Sequence, residues 1–321
     1  MDHNGDVPET ETDPIPEPAR TSATPSQDEQ DALEGLLTVL DLAPDPGGDP
    51  DTFVGQNQPQ PWGRVFGGQV LAQSLAAAQR TVDDAEVGAR PVHSMHAYFL
   101  RAGDSGEPIT FAVERLRDGR SFSARRIHAM QFSRPILSMI ASFQAPATGL
   151  EHQLPMPGVP APEQLPSIPE RYGHLDSGPA KYWMRQRPMD LRHVDEPIFL
   201  TGAAERSAHQ AVWMRAVGPL PDEPALHAAV LAYASDYTLL EPVLRAHGRS
   251  WSDPGLKAAS LDHAMWWHRP ARADDWLLYV QDSPSAQGAR GLGIGRIYTR
   301  DGVLVATVAQ EGMLRVPPGT P

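Results

Sequence analysis

The sequence predicts an α+β protein assembled from two fused copies of one unit. Each half holds one Ala- and Leu-rich helical segment followed by several runs that alternate apolar and polar residues, the period of a strand. The halves can be laid on each other: HAYFLRAGD on AMWWHRPAR, the SAR of 123–125 on the GAR of 288–290, and PILSMIASFQ on GVLVATVAQ, at separations of 165 to 168 residues. A stretch with seven prolines between Pro146 and Pro169 parts them. Duplicated units pack by analogy with symmetric dimers, about a pseudo-twofold axis.

The elements follow in order. Residues 1–28 are rich in Pro, Glu, Asp, Thr and Ser with almost no large apolar side chains, so they read as a disordered acidic tail. Residues 29–145 form the first unit. Asp31 is placed to cap an amphipathic helix over ALEGLLTVLDL that stops by Pro44. DTFVGQNQ is strand-like, and Gly67 and Gly68 precede a helix rich in Ala, Leu and Gln. Four strands then form a meander, VHSMHAYFL, ITFAVERLRDG, SFSARRIHAMQF and PILSMIASFQA, with turns at 104–106 and Asp118-Gly119. Residues 146–205 read as a Pro-rich linker followed by irregular connection and strand. The second unit, 206–316, repeats the order: the strand HQAVWMRAV, one helix over PALHAAVLAYASDYTLLEPVL, and strands in LKAASLDHAMWWH, WLLYVQDSP, GARGLGIGRIYTR and GVLVATVAQEGMLR.

Composition narrows the chemistry. With no cysteine among 321 residues, thiol nucleophiles, disulfides and thiolate metal sites are excluded. A formal charge of −13 argues against a nucleic-acid binder. Eight acids against one arginine in the first 30 residues carry about half of that charge. No run is long and apolar enough for a membrane span, and the N-terminus lacks a basic start and an apolar stretch, so a cytoplasmic location is expected. No G-x-S-x-G, H-E-x-x-H or Walker A motif occurs. GLGIG at 291–295 lies in a strand-like run and reads as strand glycines that admit a close backbone neighbour rather than a nucleotide site.

Asp236 stands out as a carboxylate in an otherwise apolar helix, either a solvent-facing acid or a general base whose pKa is raised by its surroundings. Ser260 in KAASLDH and Gln310 in VATVAQEG are individually weak signals. His93 and His96 compete as bases, with satisfied strand histidines as the default reading. The spacing of His263 and His268 suits neither one strand face nor a metal site, so no metal and no cofactor are expected. Tyr98, Phe99, Trp266 and Trp267 read as aromatics that pack the sheet against the helix.

FGGQVLAQSLAAA, VHSMHAYFLRAGD, LRDGRSFSARR, PILSMIASFQAP, LAYASDYTLL, LDHAMWWHRP and YTRDGVLVATVAQEGMLR together resemble the acyl-CoA thioesterase II (TesB-like) family. The resemblance runs from about residue 31 to 316 and weakens between 150 and 205. It implies a double hotdog: two fused hotdog units, each an antiparallel sheet wrapped around a central helix. It also implies hydrolysis of acyl-CoA by a water held by Asp236, Ser260 and Gln310, where Ser260 stands in the place of a common Thr. Gly67 and Gly68 are then candidate oxyanion donors at a helix start. Arg101, Arg120, Arg125, Arg126 and Arg290 are candidates for the CoA phosphates. A homodimer or homotetramer is expected. The alternatives are a non-catalytic acyl-CoA sensor and a hotdog enoyl-CoA hydratase or dehydratase.

Overall fold

In the computed structural model, which describes residues 26–82, 90–175 and 187–317, Ser26 rather than Asp31 opens the first helix, α1 (Gln27–Leu40). The Ser26 hydroxyl accepts from the Glu29 amide, and the Glu29 carboxylate accepts from the Ser26 N–H at 2.7 Å. This reciprocal cap satisfies two end groups that Asp31 could not reach. It moves the expected tail boundary at 28 forward, and the tail expectation for residues 1–25 lies outside the described residues. The helix ends at Asp41, ahead of Pro44.

The first half continues with β1 (Ala43–Pro44), β2 (Thr52–Gly55), α2 (Gly67–Gln79), β3 (Val92–Phe99), β4 (Ile109–Asp118), β5 (Phe122–Gln131) and β6 (Arg134–Gln144). The connection contains a short helix, α3 (Ile168–Tyr172). The second half holds β7 (Met189–His193), β8 (His209–Ala216), α4 (Pro224–Ser235), α5 (Glu241–Ala246), β9 (Lys257–Ser260), β10 (Asp262–Trp267), β11 (Leu277–Gln287), β12 (Arg290–Thr299) and β13 (Leu304–Arg315). β7 pairs with β8, so the second half's sheet begins at Met189, ahead of the expected unit start at 206 and within the stretch read as irregular connection and strand.

All thirteen strands belong to one antiparallel sheet in the order β1-β2-β4-β5-β6-β3-β10-β13-β12-β11-β8-β7, with β9 added on β13. The halves join where β3 meets β10, with Met95 opposite Met265 and both fully buried. The sheet curves around α2 and α4. These helices run antiparallel: the start of α2 meets the end of α4 at Gly68 and Tyr233, and the Gln79 amide donates to the Ala225 carbonyl at 3.2 Å. This is the double hotdog. Leu71 and Leu75 of α2 are fully buried, each worth about 2 kcal/mol of burial. The glutamines that make α2 look too polar for a core are bonded internally: Gln73 donates to the Val39 and Gln56 carbonyls at 2.9 and 2.8 Å, and Gln69 donates to Asn57 at 2.7 Å. They tie the helix to the loop that leads into the site.

The single helix expected over 224–244 is two helices. Pro242 has no N–H to give the Thr238 carbonyl, so α4 cannot run on through it. That carbonyl instead accepts from the Glu241 amide at 2.9 Å and from buried Gln210 at 3.2 Å, while the Tyr279 hydroxyl takes the Ser235 carbonyl at 3.1 Å. The turn lies flat on the GLGIG strand because a Cβ at Gly293 would run into the Leu239 carbonyl, which accounts for that motif by close approach. Among the described residues no helix is long and apolar enough to cross a membrane.

Candidate active site

The helix break sets Asp236 at the C-terminal cap of α4, facing the first turn of α2. A Cβ at Gly67 would come within 2.6 Å of Asp236 Oδ2, and one at Gly68 would strike the Tyr233 carbonyl. Only glycine lets the two helix ends approach this closely. The Gly68 N–H donates to the Asp236 carboxylate. The positive end of the α2 dipole therefore meets a carboxylate across the join of the two units.

β13 brings the second group. Its inward positions Ala306, Val308, Gln310 and Gly312 alternate with partly exposed ones, so Gln310 points beneath α4. The Gln310 amide nitrogen donates to Asp236 Oδ1 at 2.9 Å and to Ser260 Oγ at 2.7 Å. Ser260, the last residue of β9, lies opposite Gly312, and its hydroxyl stands 3.5 Å from the same carboxylate oxygen. Asp236, Ser260 and Gln310 are thus one hydrogen-bonded group. Burial pushes the Asp236 carboxyl up from 3.8 to about 6, against the lowering effect of donors from Gln310, Gly68 and Ser260. The group is ionised at neutral pH and is a stronger base than an ordinary aspartate.

A cavity of about 610 Å³ opens onto this group. Its walls are the segment from Gln60 to Gly67, Arg187, Tyr237 and Ser260, with Asp236 at its floor. Phe66 stacks on Tyr237 at 4.8 Å and meets Tyr233 edge-on at 5.1 Å, making one apolar wall. Tyr233 is itself anchored by donating to Gln58 at 2.6 Å. The Arg187 guanidinium lies 4.5 Å above the Tyr237 ring.

The expected arginines sit elsewhere. Arg125 is fully buried and its guanidinium is used internally: it donates to Thr81, to the Arg117 and Ala124 carbonyls and to Asp118 at 2.7 Å. All five of its N–H groups are engaged, so it holds the β4–β5 turn to α2 and is corrected from ligand contact to structural role. Arg126 pairs with Glu114 across β4–β5, Arg101 donates to the Pro135 carbonyl, and Arg120 lies in the β4–β5 turn. Arg290 pairs with Glu311 at the edge of a second cavity of about 400 Å³. The cations that line the cavity at Asp236 are Arg64 and Arg187, which no repeat or period in the sequence singles out.

The histidines separate as well. His93 contacts Ser142 Oγ at 2.8 Å and the Phe122 ring edge-on, and His96 is exposed beside Trp266. Tyr98 is likewise exposed, whereas Phe99 packs near Gly67. His268 is bonded to Thr307, while His263, on the opposite face, is fully buried behind Gln310. The spacing of His263 and His268 speaks only to a metal site; the signal for a buried role of His263 is its inward strand position two residues from Met265.

Two family models match, one described as acyl-CoA thioesterase over residues 188–313 and one as acyl-CoA thioesterase N-terminal domain over 58–144. The chain is 40% identical to human acyl-coenzyme A thioesterase 8, covering 88% of this chain and 89% of that protein. It is 36% identical to acyl-CoA thioesterase 2 of Haemophilus influenzae, covering 89% and 98%. Among solved structures, acyl-CoA thioesterase II TesB2 of Mycobacterium marinum superposes with a TM-score of 0.72 at 42% identity, over 89% of this chain and all of that one. A hot dog fold protein of Alicyclobacillus acidocaldarius, at 20% identity and a TM-score of 0.70, shares the architecture over 88% of this chain and 98% of its own. The chain belongs to the TesB-like acyl-CoA thioesterase II family of thioester hydrolases.

Proposed function

We propose that the protein hydrolyses acyl-CoA thioesters to free acid and CoA by direct attack of a water held at Asp236. The observation that carries this is the Asp236–Gln310–Ser260 group at the floor of an open cavity, against a helix N-terminus. The longest contact in the group, 3.5 Å between Ser260 and Asp236, is where a water can insert, accepting from the hydroxyl and donating to the carboxylate. Asp236 takes the water's proton as its oxygen attacks the thioester carbon. The carbonyl oxygen becomes an oxyanion, for which the Gly67 N–H and the α2 dipole are the donors, the Gly68 N–H being given to Asp236. Collapse expels the CoA sulfur, which takes the proton back from Asp236. The experiment is release of CoA thiol from palmitoyl-CoA and shorter acyl-CoAs. Turnover supports the reading; tight binding without thiol release would make the protein an acyl-CoA sensor.

Arg64 and Arg187 on the cavity wall suit the phosphates of CoA better than the five arginines read from sequence, because they flank the reacting group. Arg64→Ala and Arg187→Ala are each expected to raise KM for palmitoyl-CoA about fivefold with kcat little changed, and to flatten the rise of KM with salt. An unchanged KM in both variants would place the phosphates elsewhere.

The reading includes self-association. The outward side of the sheet where the halves join carries Tyr98, 62% exposed, and Ile140, 43% exposed, flanked by His96 and Trp266. Sedimentation is expected to give a dimer or tetramer, and a Tyr98→Glu change to weaken it. A wild-type monomer at micromolar concentration would contradict this. The cytoplasmic location belongs to the same proposal and is tested by cell fractionation.

A further inference from the structure

We propose that His263 is a positioning residue for this reaction, its Nδ1–H holding the Gln310 side-chain amide in the one orientation that serves Asp236. The inference deepens the proposed function and rests on it. His263 and Gln310 face each other across the β10–β13 ladder, one step beyond the Ala264–Ala309 pair, and both side chains point inward.

The Gln310 amide has two hydrogens and one acceptor oxygen. Both hydrogens are used on the catalytic group, one to Asp236 Oδ1 at 2.9 Å and one to Ser260 Oγ at 2.7 Å. Its Oε1 therefore faces away, 2.6 Å from His263 Nδ1, and only a protonated Nδ1 can satisfy it. The other ring nitrogen, Nε2, lies 2.9 Å from Ser235 Oγ, one residue before Asp236 on α4. Ser235 Oγ also stands 2.9 Å from the Ala232 carbonyl.

These contacts admit two self-consistent polarities. In one, Ser235 donates to Nε2, Nδ1 donates to Gln310 and the amide donates to Asp236. In the other, Ser235 donates to Ala232, Nε2 donates to Ser235, and a flipped amide donates to a bare Nδ1. The second turns Gln310 Oε1 toward an anionic carboxylate and leaves Asp236 and Ser260 without the amide donor. An ionised Asp236 therefore selects the first, and the imidazole is the group that can supply it, because it can donate at Nδ1 while accepting at Nε2. Burial keeps His263 neutral, with its pKa lowered from 6.5 to about 4, so the ring stays in a donor–acceptor form across the working range rather than acting as a base.

The test is a cycle of variants in the full chain, assayed by thiol release from palmitoyl-CoA. His263→Leu keeps approximate volume and removes the donor; it is expected to lower kcat about 30-fold with KM within twofold. It should also move the acid limb of kcat/KM to higher pH. The groups bonded to or against Asp236 are Gln310, Ser260, the Gly68 amide and the Tyr279 hydroxyl, with Arg64, Arg187 and Tyr237 across the same cavity, and losing the Gln310 donor removes the largest influence that holds its pKa down. His263→Asn, whose amide can donate from near the Nδ1 position, should recover most of the lost rate. In a Gln310→Ala background, His263→Leu should cost nothing further. The ¹⁵N spectrum of the wild-type imidazole should show the Nδ1–H tautomer.

Wild-type kcat in His263→Leu, equal losses with and without Gln310, failure of Asn to restore rate, or an Nε2–H tautomer would each overturn the proposal. Full activity in Gln310→Ala alone would instead overturn the reading of the site beneath it, so the two failures are distinguishable.

Discussion

Asp236→Asn is expected to lower kcat about a thousandfold while raising stability above pH 6. The first effect follows because an amide cannot take the water's proton, and general-base contributions run to about 10²–10⁴. The second follows from the same burial. The carboxyl has a folded pKa of about 6 against 3.8 unfolded, so the folded state prefers the protonated form. Stability contributed by this group is present below about pH 4 and is lost as pH rises to about 6. Asparagine does not titrate and so avoids that loss. Because the carboxylate is only half-buried, the gain is about 1–2 kcal/mol at pH 8, vanishing below pH 4. For the wild type, kcat/KM should fall as pH drops through about 6, as the base is protonated. Melting curves and thiol-release rates between pH 4 and 9 check all three. An Asn variant that keeps its rate would move the base to another group, and one that is less stable at pH 8 would show that the carboxylate is not destabilised by its surroundings.

Gly68→Ala is expected to lower the melting temperature by about 5 °C or more and kcat about tenfold. The added methyl would run into the Tyr233 backbone carbonyl and lie 2.5 Å from the Phe66 ring. Backbone cannot give way as a flexible side chain does, so the helix ends must part, at a cost of about 3 kcal/mol. Parting them withdraws the Gly68 N–H from Asp236 and the α2 dipole from the oxyanion position. A variant with wild-type melting and kcat would mean that close approach of the helices serves neither packing nor catalysis.

The strands were legible because inward and outward positions alternate along them; β13 from Leu304 to Arg315 shows this along most of its length, and it places Gln310 inside without any tertiary information. The duplication was legible in the aligned motifs, and its two halves meet at Met95 and Met265. The start of α1 is also written in the sequence, as Ser26 and Glu29, but the apolar run beginning at Ala32 is the stronger local signal and starts later. Pro242 likewise marks the break in the second helix, masked by the continuous apolar composition around it.

Local content is legible along the chain: which residues favour strand and helix, the absence of thiol chemistry, the repeat, and, through the family resemblance alone, three residues implied to hold a water. Folding selects which arginines line the cavity at the carboxylate, Arg64 and Arg187 rather than Arg125, and what stands behind Gln310. The reason is physical. Periodicity reports which face of an element is buried, whereas a carboxyl raised to about 6 and a histidine bonded to an amide depend on groups brought together from α2, α4, β9, β10 and β13. Those contacts are many residues apart in the chain, and no local pattern specifies them.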